Sequence, residues 1–223
     1  MLANDGVAYL SGIEPGEQLR ELASGLGVCI EPGVGMPGGM HDGHSYLVRP
    51  RNDGGGEVDR HGNVILSTTR LEFPLHTDAY NSPEPPRYVL LQRVDRTNDA
   101  TESYVSDAWA ALDNLTQKAV STLLTAAFPS AVGERPLLET VSGARRIRFN
   151  EREVENWAAS SGANIPPTAA SAMRALADSL TAGQLTFVIE PGDCLVLDNW
   201  RVCHGRGAIP PDSKRTLERI WIR

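Results

Sequence analysis

With 223 residues, 41% of them hydrophobic, the chain is long enough to enclose one well-buried core. A formal net charge of −7, with arginines interspersed among acids, argues against a nucleic-acid or anionic-membrane partner, since both need a concentrated positive field. No stretch reaches the ~20 apolar residues of a membrane span, and MLANDGVAYL lacks the basic-then-apolar order of a secretion signal.

The expectation is therefore one domain spanning 1–223, in the cytoplasm, acting on a small molecule, with self-association left open. Cys29, Cys194 and Cys203 form no C-x-x-C pair and are read as reduced thiols, with core packing as their default role.

Along the chain, PGEQLRELASGL (15–26) carries apolar residues at helical spacing and stops at Gly27, as a short amphipathic helix would. The stretch 31–63 is rich in Gly, Pro, Asp and Asn around a strand-like SYLVRP and is read as a lid loop. VILSTT (64–69) and RYVLLQRV (87–94) read as strands, the second apolar throughout as a buried strand is. DAWAALDNLTQKAVSTLLTAAF (107–128) predicts one or two helices ending before Pro129, and TAASAMRALADSLTAG (168–183) another. Between them ARRIRFN (144–150) predicts a short strand. QLTFVIEPGDCLVLDNWRVCHGRG (184–207) and KRTLERIWIR (214–223) predict three more. Strands on both sides of a helical insertion indicate a mainly β protein with added helices, an antiparallel barrel or jelly roll.

His76-Thr77-Asp78 places two ligand types at i and i+2, which on an extended segment share a face; on a helix they would diverge by about 200°. His204, at the end of a strand-like run, supplies a third. Two histidines and one carboxylate form the open set used by iron(II) oxygenases, leaving positions for cosubstrate and O2. A closed set of four Cys and His ligands would leave none. Alone, H-x-D is an ordinary strand-end pair; its position and company give it weight.

FPLHTDAYNSPEPPRYVLL, followed over a hundred residues later by VLDNWRVCHGRGA and then RTLER, resembles the taurine dioxygenase and clavaminate synthase superfamily. The match runs roughly from Ser67 onward. The resemblance implies a double-stranded β-helix, a form of jelly roll, in which His76, Asp78 and His204 bind iron(II) and 2-oxoglutarate and O2 are cosubstrates. It further implies that Arg215 grips the distal carboxylate of 2-oxoglutarate, a task for which a guanidinium fork is suited. Ser103, or else Thr101, would assist, although the Gly-Gly that usually precedes that position is missing. Arg219 would share Arg215's face and reach substrate or support the cosubstrate. Asp78 stands where related halogenases carry a small residue, which argues against halogenation; hydroxylation is the default outcome, with desaturation or ring closure left open.

A carboxylate-bearing substrate, an amino acid by preference, needs a buried cation, and Arg148, Arg70 and Arg219 are the candidates. Glu72, Tyr80 and Asn81 flank the iron motif and could meet an amine or hydroxyl. His41 and His44 offer an H-x-x-H pair, but in a Gly-rich loop rather than on the helix where such pairs chelate. His61 is assigned no role. Trp109, Trp157, Trp200 and Trp221 are scattered and read as core. Two rival readings remain: a cupin-like metal isomerase or hydrolase, which would have no need of Arg215, and a catalytically silent small-molecule-binding jelly roll.

Overall fold

The structure, a computed structural model, describes residues 2–30, 45–51, 55–59, 62–97 and 100–223. The expected lid at 31–63 falls largely outside the described residues, as do His41, His44 and His61.

The first described elements are α1 (Leu2–Asp5), β1 (Val7–Leu10), α2 (Glu17–Leu26), β2 (Cys29–Ile30) and β3 (Tyr46–Val48). A small hairpin of β4 (Glu57–Val58) and β5 (Val64–Ile65) follows, then β6 (Phe73–His76), β7 (Tyr88–Arg93) and β8 (Glu102–Asp107). The insertion comprises α3 (Ala108–Asp113), α4 (Gln117–Thr125), β9 (Leu138–Val141), β10 (Ala144–Ile147), α5 (Glu151–Ser161) and α6 (Pro167–Ala182). β11 (Leu185–Val188), β12 (Cys194–Asp198), β13 (Val202–Arg206) and β14 (Leu217–Ile222) complete the order.

Two antiparallel sheets carry the fold, one in the order β1-β12-β7-β14-β2 with β3 also on β14, the other β11-β8-β13-β6. Successive strands cross between them: β6 to β7, β7 to β8, β12 to β13 and β13 to β14. This alternation is that of a jelly roll. In β7, Val89 and Leu91 point into the core between the sheets, whereas Leu90 packs outward against α2 through Leu19 and Ala23. β12 divides in the same way, with Leu195 and Leu197 inward and Cys194 and Val196 outward. Both faces are covered, which is why these strands read as unbroken apolar runs. On its far side the second sheet is covered by α3, α4 and α6, which bury Leu112, Leu123, Met173, Leu176 and Leu180.

One open reading is resolved and two change. The 107–128 pattern is two helices, broken at 114–116 because Asp107 and Thr116 each cap a new start through Trp109 N and Ala119 N. VILSTT is strand only at Val64–Ile65 and then turns into a 3-10 helix, Leu66–Thr68, with Thr68 Oγ1 donating back to Ile65 O. Helix α5 has no counterpart in the sequence reading: only Val154 is fully buried on it, so its apolar periodicity is faint, although Asn150 caps it through Glu153 N.

β13 and β6 meet with a bulge. His204 lies opposite His76 and Arg206 opposite Phe73, so two steps on one strand face three on the other. Gly205 makes this approach feasible, since a Cβ there would stand 2.6 Å from Phe73 O and 3.0 Å from the Pro74 carbonyl carbon. Replacing Gly205 by Ala is expected to force the strands apart and cost about 1–3 kcal/mol; an unchanged denaturant midpoint would contradict this reading of the bulge.

Candidate metal centre and cavity

β6 ends at His76, and Asp78 begins the turn that follows. The two side chains therefore converge through a turn rather than along an extended strand. Ala79 takes φ 57° in the left-handed region, a conformation costing a non-glycine residue about 1–2 kcal/mol. Asn199, 1% exposed, holds the turn from β12: its Oδ1 accepts from Asp78 N at 2.7 Å, while its Nδ2 donates to Asp78 O at 3.2 Å and Pro86 O at 3.0 Å. Thr77 is fixed to the segment after β10, where its Oγ1 accepts from Phe149 N at 2.9 Å.

His76, Asp78 and His204 are buried, and their ligand atoms lie within 4.8 Å of one another. Asp78 Oδ1 is 3.6 Å from each Nε2. His76 Nδ1 lies 2.9 Å from Pro74 O, which fixes the proton there and turns the Nε2 lone pair toward the cluster. Burial first, and then His76 beside it, lower the His204 pKa to about 3, so this imidazole is neutral and able to donate a lone pair. Burial alone would push the Asp78 carboxyl up; Arg219, and after it the two imidazoles, outweigh burial and hold it well below the usual carboxylate range.

The other edge of that carboxylate is held from the opposite sheet. Arg219 Nη1 donates to both Asp78 oxygens at 3.0 Å, and Trp221 Nε1 donates to Oδ2 at 2.7 Å. Arg219 and Trp221 stand at i and i+2 on β14 and so share its inward face. The guanidinium lies 4.3 Å from the Tyr46 ring centroid and 5.0 Å from that of Trp221. With Oδ2 so engaged, Oδ1 is the oxygen available to a cation. Two imidazoles and one such oxygen fit iron(II) with positions left open.

One cavity of about 500 Å3, counting its open mouth, reaches this cluster. His76 and His204 line it together with Ser103, Arg206, Arg215 and Arg219, and its apolar wall includes Val48, Leu91, Ile189, Leu195 and Leu217. Arg215 Nη2 donates to Ser103 Oγ at 3.0 Å, so a residue of β8 and one just before β14 meet in this cavity. Thr101 is buried outside β8 and does not line the cavity. Phe73, turned inward by the bulge, stacks on His76 at 3.7 Å and 19°.

Of the residues proposed for substrate, Arg219 alone lines this cavity. Arg148 is 1% exposed and closes its fork on Glu139 at 2.5 Å and on the carbonyls of Ser82 and Pro83, bracing the turn after Asp78 instead of facing the cavity. Tyr80 points into the helical core and donates to Pro129 O at 2.9 Å. Asn81 links Glu153 to Ala131 N. Arg70 donates to the carbonyls of Pro210 and Ser213, tying two loops together. Glu72 is exposed. In each of these cases hydrogen bonding to scaffold or exposure to solvent, not the type of residue, decides the placement. The sequence reading passed over Asn199, Trp221 and Phe73. The parity of Trp221 with Arg219 was the available signal for one; the other two depend on the turn and the bulge.

The chain matches the family described as taurine catabolism dioxygenase TauD, TfdA family over residues 1–221. Among solved structures, it is similar to an asparagine oxygenase in complex with Fe(II), 2S,3S-3-hydroxyasparagine and succinate, at 17% identity and TM-score 0.71, covering 98% of this chain and 74% of that one. It is also similar to the non-heme iron oxygenase OrfP in complex with Fe and alpha-ketoglutaric acid, at 20% identity and TM-score 0.72, covering 99% and 76%. These likenesses establish the jelly-roll fold.

Asn199→Ala removes three bonds from the strained turn and should weaken metal binding about 10–100-fold, as loss of an outer support does elsewhere. Cobalt(II) titration of the folded variant checks this, and wild-type affinity would show that the turn holds without the clamp.

Proposed function

The chain belongs to the taurine catabolism dioxygenase TauD, TfdA family, and from that membership we propose that it is an iron(II)- and 2-oxoglutarate-dependent dioxygenase that hydroxylates a C–H bond of a small carboxylate-bearing metabolite, an amino acid or a derivative of one. The observation that carries this reading is the convergence of His76, Asp78 and His204 within 4.8 Å, beside the cavity that the two histidines line with Arg215 and Ser103. The asparagine oxygenase and OrfP, whose complexes hold hydroxylated amino acids, support the substrate class.

In this reading the two imidazoles and Asp78 Oδ1 hold the iron. Bound with 2-oxoglutarate, the ion supplies O2 activation coupled to decarboxylation, so that RH, 2-oxoglutarate and O2 become ROH, succinate and CO2. Arg215 and Ser103 anchor the distal carboxylate of the cosubstrate, and this fixes which end faces the metal. The apolar wall keeps water from the reacting face. Arg219 Nε is buried with no hydrogen-bond partner among the described residues, so the guanidinium that steadies Asp78 retains a donor for a substrate carboxylate. Phe73 shields His76 on one side. The buried thiols Cys194 and Cys203 suit the reducing cytoplasm in which we place the enzyme.

Anaerobic addition of iron(II) and 2-oxoglutarate tests the reading, because their chelation gives a weak visible charge-transfer band. The band is expected from the wild type and lost in His204→Ala; in Arg215→Ala it should require far more 2-oxoglutarate while iron(II) still binds. Colourless wild-type mixtures would rule the proposal out. Succinate release with a panel of amino acids then identifies the substrate, and release with none of them would remove that substrate class.

A further inference from the structure

Arg206 lies two residues beyond His204 on β13 and lines the same cavity. It is 6% exposed, and its fork is committed to backbone: Nη1 donates to Leu71 O and Gly207 O, Nη2 to Leu66 O and Thr69 O. Among the described residues no carboxylate pairs with it. Its partner across the sheet is Ser103 of β8, and Ser103 Oγ is the atom that accepts from Arg215. Arg206 is thus paired in register with the serine on which Arg215 closes, and both arginines line the cavity.

A guanidinium stays charged at neutral pH, and this one is buried. Holding a buried cation with neutral carbonyls alone is costly, and an anion nearby lessens that cost. The carbonyl bonds fix the guanidinium in place, so its field is directed rather than mobile.

We infer that Arg206 is a positioning residue for the cosubstrate: acting through space beside Arg215, its charge makes the cavity prefer a 2-oxo acid with a second, distal carboxylate over one without. This inference rests on the function proposed above. It differs from a purely structural role, in which Arg206 would only fasten the 66–71 segment to β13.

The test compares wild type, Arg206→Met and Arg206→Lys, each loaded anaerobically with iron(II) and titrated with 2-oxoglutarate or with 2-oxovalerate, which has the same chain length but ends in a methyl group. The charge-transfer band reads binding of both. Arg206→Met should lose about tenfold of the preference for 2-oxoglutarate while its affinity for 2-oxovalerate stays within about twofold of wild type. Arg206→Lys should keep the preference. A Met variant that weakens both acids equally, or neither, overturns the inference. If the Met variant does not fold, Arg206→Gln, which keeps hydrogen-bond donors but carries no charge, decides: a lost preference supports the role of charge, and a retained one defeats it. A wild type that gives no band with either acid would sink the proposed function itself, an outcome distinct from a wild type that binds 2-oxoglutarate and a variant that binds it just as well.

Discussion

The contact on which the rest of the structure depends is the one at Asp78. Its carboxylate lies between the two sheets, 3.6 Å from imidazoles carried by β6 and β13 on one side and hydrogen-bonded to Arg219 and Trp221 of β14 on the other. A buried carboxylate with a single partner would be a liability in so dry a place. With three bonds from the opposite sheet it becomes a fixed point, oriented so that one oxygen faces the histidines. The bulge at Gly205, the left-handed Ala79 and the Asn199 clamp are the local arrangements that bring the surrounding groups to it.

The buried arginines sort by what neutralises or holds them. Arg93 meets Asp95, and Arg148 meets Glu139; both are braces of the scaffold, with acids supplied by the chain. Arg219 meets Asp78 and couples the sheets at the metal centre. Arg206 has only carbonyls among the described residues, and it lines the cavity with Arg215. A map of positive charge alone would not separate these roles. The identity of the acceptor does.

Much of this was legible in the residues. The apolar run of β7 announced a strand covered on both faces, and two histidines with an acid announced a cluster that could hold a metal. Arg215 and Ser103 meet because β8 and the approach to β14 both border one cavity. Less legible was anything that depended on which acceptor a polar side chain would find. Tyr80 and Asn81 flank the iron motif and Arg148 is a candidate cation from the 144–150 strand, yet each is bound to scaffold. Trp221 read as a core residue because its indole fills space between the sheets, while its N–H bond to Asp78 is a tertiary fact. Helix α5 was hidden for a different reason: a helix that buries one residue fully leaves little periodicity to detect.

The pairing of distant strands also bears on how the chain reaches this state. Val7 lies opposite Leu197, Arg93 opposite Leu217, and His76 opposite His204. Such contacts close long loops before they return any stabilisation, whereas α3, α4 and α6 can form and dock over short separations. Loop entropy thus favours early nucleation in the helical layer and late closure of the histidine pair, which would make assembly of the centre a report on completion of the jelly roll.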